Sequence, residues 1–131
     1  MAGEVFWDTS GFFSLLCPDT PRHPDAVALS GREAVTTDAV IGETCTLLIA
    51  RKKPHLARKF LDLTDQPEAL RIVHLDAMLV ASTRGFLRKH LDHLYSFVDC
   101  SSFVVMERLG LRDAATTDAH FTEAGFTALL R

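Results

Sequence analysis

Val35–Leu48 reads VTTDAVIGETCTLL, and its two ends follow different periods. Ala34–Thr37 is a short run of small and β-branched residues that suits a buried strand. From Asp38 onward, Val40, Ile41, Thr44, Leu47 and Leu48 share one face of a helix turning about 100° per residue. Asp38 stands where a side chain caps that helix. The letters TTDA return at Thr116–Ala119, again behind a strand-like run, Asp113–Thr117. Beyond them the copies diverge, VIGET against HFTEA, so they are two strand-to-helix junctions and not an internal repeat.

The same alternation runs outward in both directions. Strands are expected at 4–8, 69–75, 95–98 and 126–130, besides those already placed. Helices are expected at 9–17, 26–33, 38–52, 54–65, 76–94 and 99–110, and a loop or helical turn at 118–125. Pro18, Pro21 and Pro24 make 18–25 a loop. Strands that alternate with helices from end to end imply an α/β fold with a mostly parallel central sheet flanked by helices. No linker divides the chain, so residues 1–131 are expected to form one domain.

Bulk properties narrow the function classes. The net charge is −3, so any nucleic acid must meet a local patch and not a global positive field. Cys17, Cys45 and Cys100 make an odd count without a C-x-x-C pair, as expected for reduced thiols in the cytoplasm. The start MAGEVFWD has no basic region before an apolar run, so no signal peptide is expected. No apolar stretch approaches the ~18 residues of a membrane span.

Asp8, Asp99 and Asp118 each close an expected strand. In an open parallel sheet, ligands bind outside the carboxyl ends of the strands, so all three should meet in one crevice. Glu43 lies at the edge of the apolar stripe of its helix, about 40° from Leu47. Crowded carboxylates repel one another and favour a cation, and oxygen-only donors suit Mg²⁺ or Mn²⁺. The alternative is that the aspartates only cap helices, as in an α/β module that binds RNA or protein without catalysis.

Four stretches carry a family resemblance: FWDTSGF from Phe6, TTDAVIGETCTLL from Thr36, SFVDCSSFVVMERLG from Ser96 and ATTDAHFTEAGF from Ala115. Together, in this order and spacing, they resemble the PIN-domain ribonucleases, and most of all the VapC-type toxins of bacterial toxin–antitoxin pairs. The resemblance implies a Mg²⁺- or Mn²⁺-dependent endoribonuclease acting on single-stranded or looped transfer or ribosomal RNA. It implies Asp8, Glu43, Asp99 and Asp118 as the catalytic metal-binding acids. Thr9 and Ser10 fill the small hydroxyl positions after the first acid, and Ser101 matches a polar position near the site. A VapB-type antitoxin partner and a homodimer are implied as well, with no role for a membrane.

Other residues are weighed singly. His120, two residues after Asp118, is expected near the phosphate or behind the metal, with packing in its loop as the alternative. Arg51, Lys52 and Lys53 form one basic cluster, and Arg84, Arg88 and Lys89 another; either could grip RNA phosphates or be a solvated helix face. His90 and His93 have zinc-like spacing but read as a solvent-facing pair. Phe12, Phe13, Phe97, Phe103 and Phe121 lie in apolar runs and are expected in the core, as is Trp7. A phosphoaspartate phosphotransferase is excluded, because position 10 is Ser10 where a second aspartate is needed and no lysine follows Lys89.

Overall fold

In the computed structural model, which describes residues 3–131, the first strand is also the central one. β1 (Val5–Trp7) is buried at every position, which fits its unbroken apolar run. It pairs in parallel with β2 (Ala34–Thr37) on one side and β4 (Asp113–Ala115) on the other. Phe6 is the shared rung, opposite Val35 and Ala114. β3 (Arg71–Val73) extends the sheet beyond β2 and β5 (Thr127–Ala128) beyond β4. The order is β3-β2-β1-β4-β5 and every pairing is parallel, as the alternating sequence pattern implied. Residues 1 and 2 of the expected 1–131 domain, where the N-terminal targeting signal was sought, lie outside the described residues.

Parallel neighbours need crossovers, and helices supply them. α1 (Thr9–Leu16) and α2 (His23–Leu29) lead from β1 to β2; α3 (Asp38–Ala50) and α4 (Pro54–Thr64) lead from β2 to β3. α5 (Ala77–Lys89), a 3-10 turn at Leu91–His93 and α6 (Phe97–Leu109) then carry the chain back past β1 to β4. α7 (Ala119–Glu123) joins β4 to β5. The strand order therefore reverses between β1 and β4, and it is at the carboxyl ends of such a reversal that parallel sheets bind ligands. None of the described helices is long and apolar enough to cross a membrane.

Trp7, Phe60, Phe103 and Phe121 anchor the core. Trp7 stacks on Phe12 at 5.4 Å, and Phe12 meets Phe60 edge-on at 4.8 Å, which ties α1 and α4 to β1. α1 comes down hard on β4: a β-carbon at Gly11 would stand 2.0 Å from the carbonyl oxygen of Ala115. Only glycine lets these two backbones meet there.

Several expectations need correction, among them that Asp99 closes a strand and that one helix runs over 76–94, since α5 ends at Lys89. Tyr95–Val98 is not a strand: Ser96 caps α6, and Phe97 and Val98 form its first turn. The β-branched and aromatic letters suggested a strand, but a serine three residues before an acid is a capping box, and local hydrogen bonds prevail over propensity. Thr37, not Asp38, caps α3; its side chain accepts from the N–H of Val40, and Asp38 is the first helical residue. Phe97 is 39% exposed, unlike the buried Phe12, Phe103 and Phe121. The strands at 4–8, 69–75, 113–117 and 126–130 exist but are shorter than expected, and α2 begins at His23 rather than after Asp25.

Candidate active site

Asp8 follows β1 directly and sits at the N-cap of α1, yet its side chain makes no cap hydrogen bond. It is 4% exposed, and its Oδ2 accepts from Thr116 Oγ1 at 2.9 Å and Ser10 Oγ at 3.2 Å. Burial pushes its carboxyl up to about 6 from an ordinary 3.8. Hydrogen bonds from Thr116 and the Thr9 backbone pull the other way, and the negative charges of Asp99 and Glu43 add to the rise. A buried acid with no charge partner, raised further by two other acids, is poor capping chemistry and good cation-binding chemistry.

Glu43 reaches the same place from α3. Its Oε1 accepts from Thr9 Oγ1, and Thr44, one residue on, lies within 3.4 Å of the same hydroxyl. Thr9 thus links the first acid's loop to the second acid's helix. Asp99 is the third residue of α6, where its Oδ2 accepts from the N–H of Ser96. The aspartate is therefore both a capping residue and 9% exposed at the crevice. Asp118 caps α7 by accepting from the N–H of His120 at 2.9 Å. Capping accounts for part of what Asp99 and Asp118 do and for nothing that Asp8 and Glu43 do.

His120 closes the group. Its Nδ1 lies 3.2 Å from Asp99 Oδ2 and 3.6 Å from Asp118 Oδ1. Asp99, Asp118 and His120 each offer one donor atom, all within 4.8 Å of one another, enough to hold a metal ion. The ring of Tyr95 meets the His120 ring edge-on at 5.2 Å and limits its rotation.

Thr116 is the residue the sequence reading passed over. Fully buried, it donates to Asp8 and accepts from the N–H of Asp118 at 3.0 Å, so one hydroxyl joins two acids. The signal lay in the second TTDA: Thr36, its counterpart in the first copy, donates to the Trp7 carbonyl at 2.7 Å. The two copies flank the end of β1 from opposite sides. Ser10 adds to this web by accepting from the N–H of Thr117.

Other expected residues are distributed unevenly. Ser101 is buried and donates to the Val98 carbonyl at 2.7 Å, with no hydrogen bond to the acids. Arg51, Lys52 and Lys53 lie at the far end of α3, about 12 Å of helical rise beyond Glu43. There Arg51 sits over the Phe13 ring at 5.5 Å. Burial raises the Cys17 thiol, and nearby Lys53 and Arg51 pull against it, which puts this cluster at the end of α1 away from Asp8. Arg84 and Arg88 are exposed on α5, each about 160° around the helix from Phe86, the side chain that stacks on His90 and lies 6.4 Å from Tyr95. His90 and His93 pack edge-on at 5.2 Å, and His93 stacks on Tyr95. Burial pushes the Cys100 thiol up to about 11, with Asp99 adding to the rise, which disfavours its thiolate form.

The comparisons with known proteins agree with this fold. The PIN domain family model matches residues 5–127. The curated 23S rRNA-specific endonuclease VapC20, from two strains of Mycobacterium tuberculosis, is 34% identical over 125 residues, covering 93% of this chain and 95% of the relative. The crystal structure of the Mycobacterium tuberculosis VapC20 protein, described as a Sarcin-Ricin loop cleaving toxin, superposes with a TM-score of 0.86 at 32% identity. That alignment covers 94% of this chain and 96% of the other.

Proposed function

Because this chain belongs to the PIN-domain family, we propose that it is a metal-dependent endoribonuclease and the toxin of a toxin–antitoxin pair. The observation that supports the reading is a buried Asp8 that feels the negative charges of Asp99 and Glu43 and is joined to Asp118 through Thr116. Residues 1–131 act as one catalytic domain. The substrate is looped ribosomal RNA ahead of transfer RNA, a preference supported by the 23S rRNA specificity of the 34% identical relative.

The donor set fits a hard divalent cation, Mg²⁺ or Mn²⁺: four carboxylates from four segments, with hydroxyls holding two of them in place. When bound, such an ion neutralises charge on the scissile phosphate and acidifies a water. Asp8, Asp99 and Asp118 would hold such an ion, together with Glu43 from α3. Thr116, Ser10 and Thr9 keep the carboxylates aimed, so no reorganisation is needed during reaction. Hydrolysis forms one bond from the water oxygen to phosphorus and opens one ester bond, and the departing ribose oxygen takes up the proton. Glu43, half-buried at the rim, orients the attacking water.

Arg84 and Arg88 guide the RNA backbone toward this crevice. The enzyme is cytoplasmic, a reading supported by three free cysteines. A small VapB-type antitoxin restrains it, and it forms a homodimer.

Total RNA incubated with the purified protein in Mg²⁺, in Mn²⁺ and in chelator tests the reading, with new ends mapped by primer extension. Discrete metal-dependent cuts in ribosomal RNA are expected. Intact ribosomal and transfer RNA under all three conditions would remove the nuclease reading.

A further inference from the structure

We propose that His120 is itself a metal ligand through Nδ1, and that it biases this site toward Mn²⁺ over Mg²⁺. The inference rests on the metal-dependent reading above. In an octahedral site with ligands at about 2.1 Å, neighbouring donor atoms stand about 3.0 Å apart. The Nδ1 distances to Asp99 Oδ2 and Asp118 Oδ1, 3.2 and 3.6 Å, are close to that edge. An ion held by Asp99 and Asp118 would therefore have Nδ1 of His120 within ligand reach.

Two surrounding contacts favour the same role. A ligating histidine commonly turns its other ring nitrogen toward a carboxylate, which fixes the tautomer. Here Nε2 faces Glu123 Oε2 at 3.9 Å, from one turn further along α7. The edge-on Tyr95 ring holds the imidazole plane from the side. Imidazole nitrogen is a better partner for first-row transition ions than for Mg²⁺, which prefers oxygen and water. One nitrogen among carboxylates therefore tilts the preference toward Mn²⁺ without excluding Mg²⁺.

The test uses the full chain with Mn²⁺ and Mg²⁺ as probes. Pulsed electron paramagnetic resonance of the Mn²⁺-loaded protein is expected to show imidazole nitrogen modulation. His120→Asn puts an amide oxygen close to the position of Nδ1, so the fold and the ion should be kept. In that variant the nitrogen modulation should vanish and Mn²⁺ binding should weaken about tenfold. Its Mg²⁺ affinity, by calorimetry, should stay within about threefold of the parent. Bound Mn²⁺ without nitrogen modulation, or a Mn²⁺-to-Mg²⁺ preference equal in the two proteins, overturns the inference and leaves the nuclease reading standing. Failure of the parent protein to bind Mn²⁺ at all overturns both.

Discussion

At the scale of single residues, the site is organised around one uncomfortable carboxylate. Asp8 binds its proton more tightly in the folded chain than in the unfolded one, because burial raises its carboxyl from 3.8 to about 6. An acid shifted upward contributes most below its unfolded value and loses that contribution as pH rises through its folded value. The metal-free protein should therefore lose stability between about pH 4 and about pH 6, with a ceiling of about 3 kcal/mol from this group. Urea unfolding of the parent and of Asp8→Asn in chelator isolates the effect: the variant should be the more stable at about pH 8, and its advantage should disappear at about pH 4. Equal stability offsets at both pH values would mean that Asp8 is not held against its own desolvation. None of this was visible in the letters, which place an aspartate after an apolar run but do not reveal whether its side chain caps the next helix or turns away from it.

At the scale of elements, two junctions set the geometry of the acids. The capping box of α6 fixes Asp99, since Ser96 Oγ accepts from the Asp99 N–H and Asp99 Oδ2 accepts from the Ser96 N–H. Ser96→Ala should cost about 1 kcal/mol in chemical denaturation and should weaken metal binding by releasing Asp99. A variant as stable and as tight as the parent would make the box incidental. The contact of α1 with β4 fixes Asp8. Gly11→Ala forces a methyl group into the Ala115 carbonyl, a backbone atom that cannot step aside, and should cost about 3 kcal/mol or more. Thermal unfolding would show it, and an unchanged midpoint would contradict the close approach. The sequence told more about the helices than about their starts. The apolar stripe of α3 was readable from Val40, Thr44 and Leu48, whereas Tyr95–Val98 misled because its propensity is that of a strand and its hydrogen bonds are those of a cap.

At the scale of the whole molecule, strand order does what no motif could announce. Alternating strands and helices predicted a parallel sheet, and the three aspartates were placed on one edge of it. That β4 returns to the far side of β1, so that Thr116 can reach Asp8, depends on contacts 108 residues apart in sequence. Charge placement is likewise a property of the fold. Both basic clusters look alike as letters, but in the fold Arg51–Lys53 follow the end of α3 that lies beyond Glu43, while Arg84 and Arg88 stand exposed on α5. Replacing Arg84 and Arg88 with alanine should raise KM for RNA about tenfold at low salt and flatten its salt dependence. Replacing Arg51, Lys52 and Lys53 should leave both nearly unchanged; the reverse ranking would relocate the RNA path. The central claim is that all four acids serve cleavage, beyond the capping that Asp99 and Asp118 also perform. The most direct measurement compares ribosomal RNA cleavage and unfolding free energy for Asp8→Asn, Glu43→Gln, Asp99→Asn and Asp118→Asn. The account predicts that each variant loses cleavage by at least about a hundredfold while stability holds or rises without metal. Retained cleavage together with the ~1 kcal/mol loss of a helix cap would contradict it.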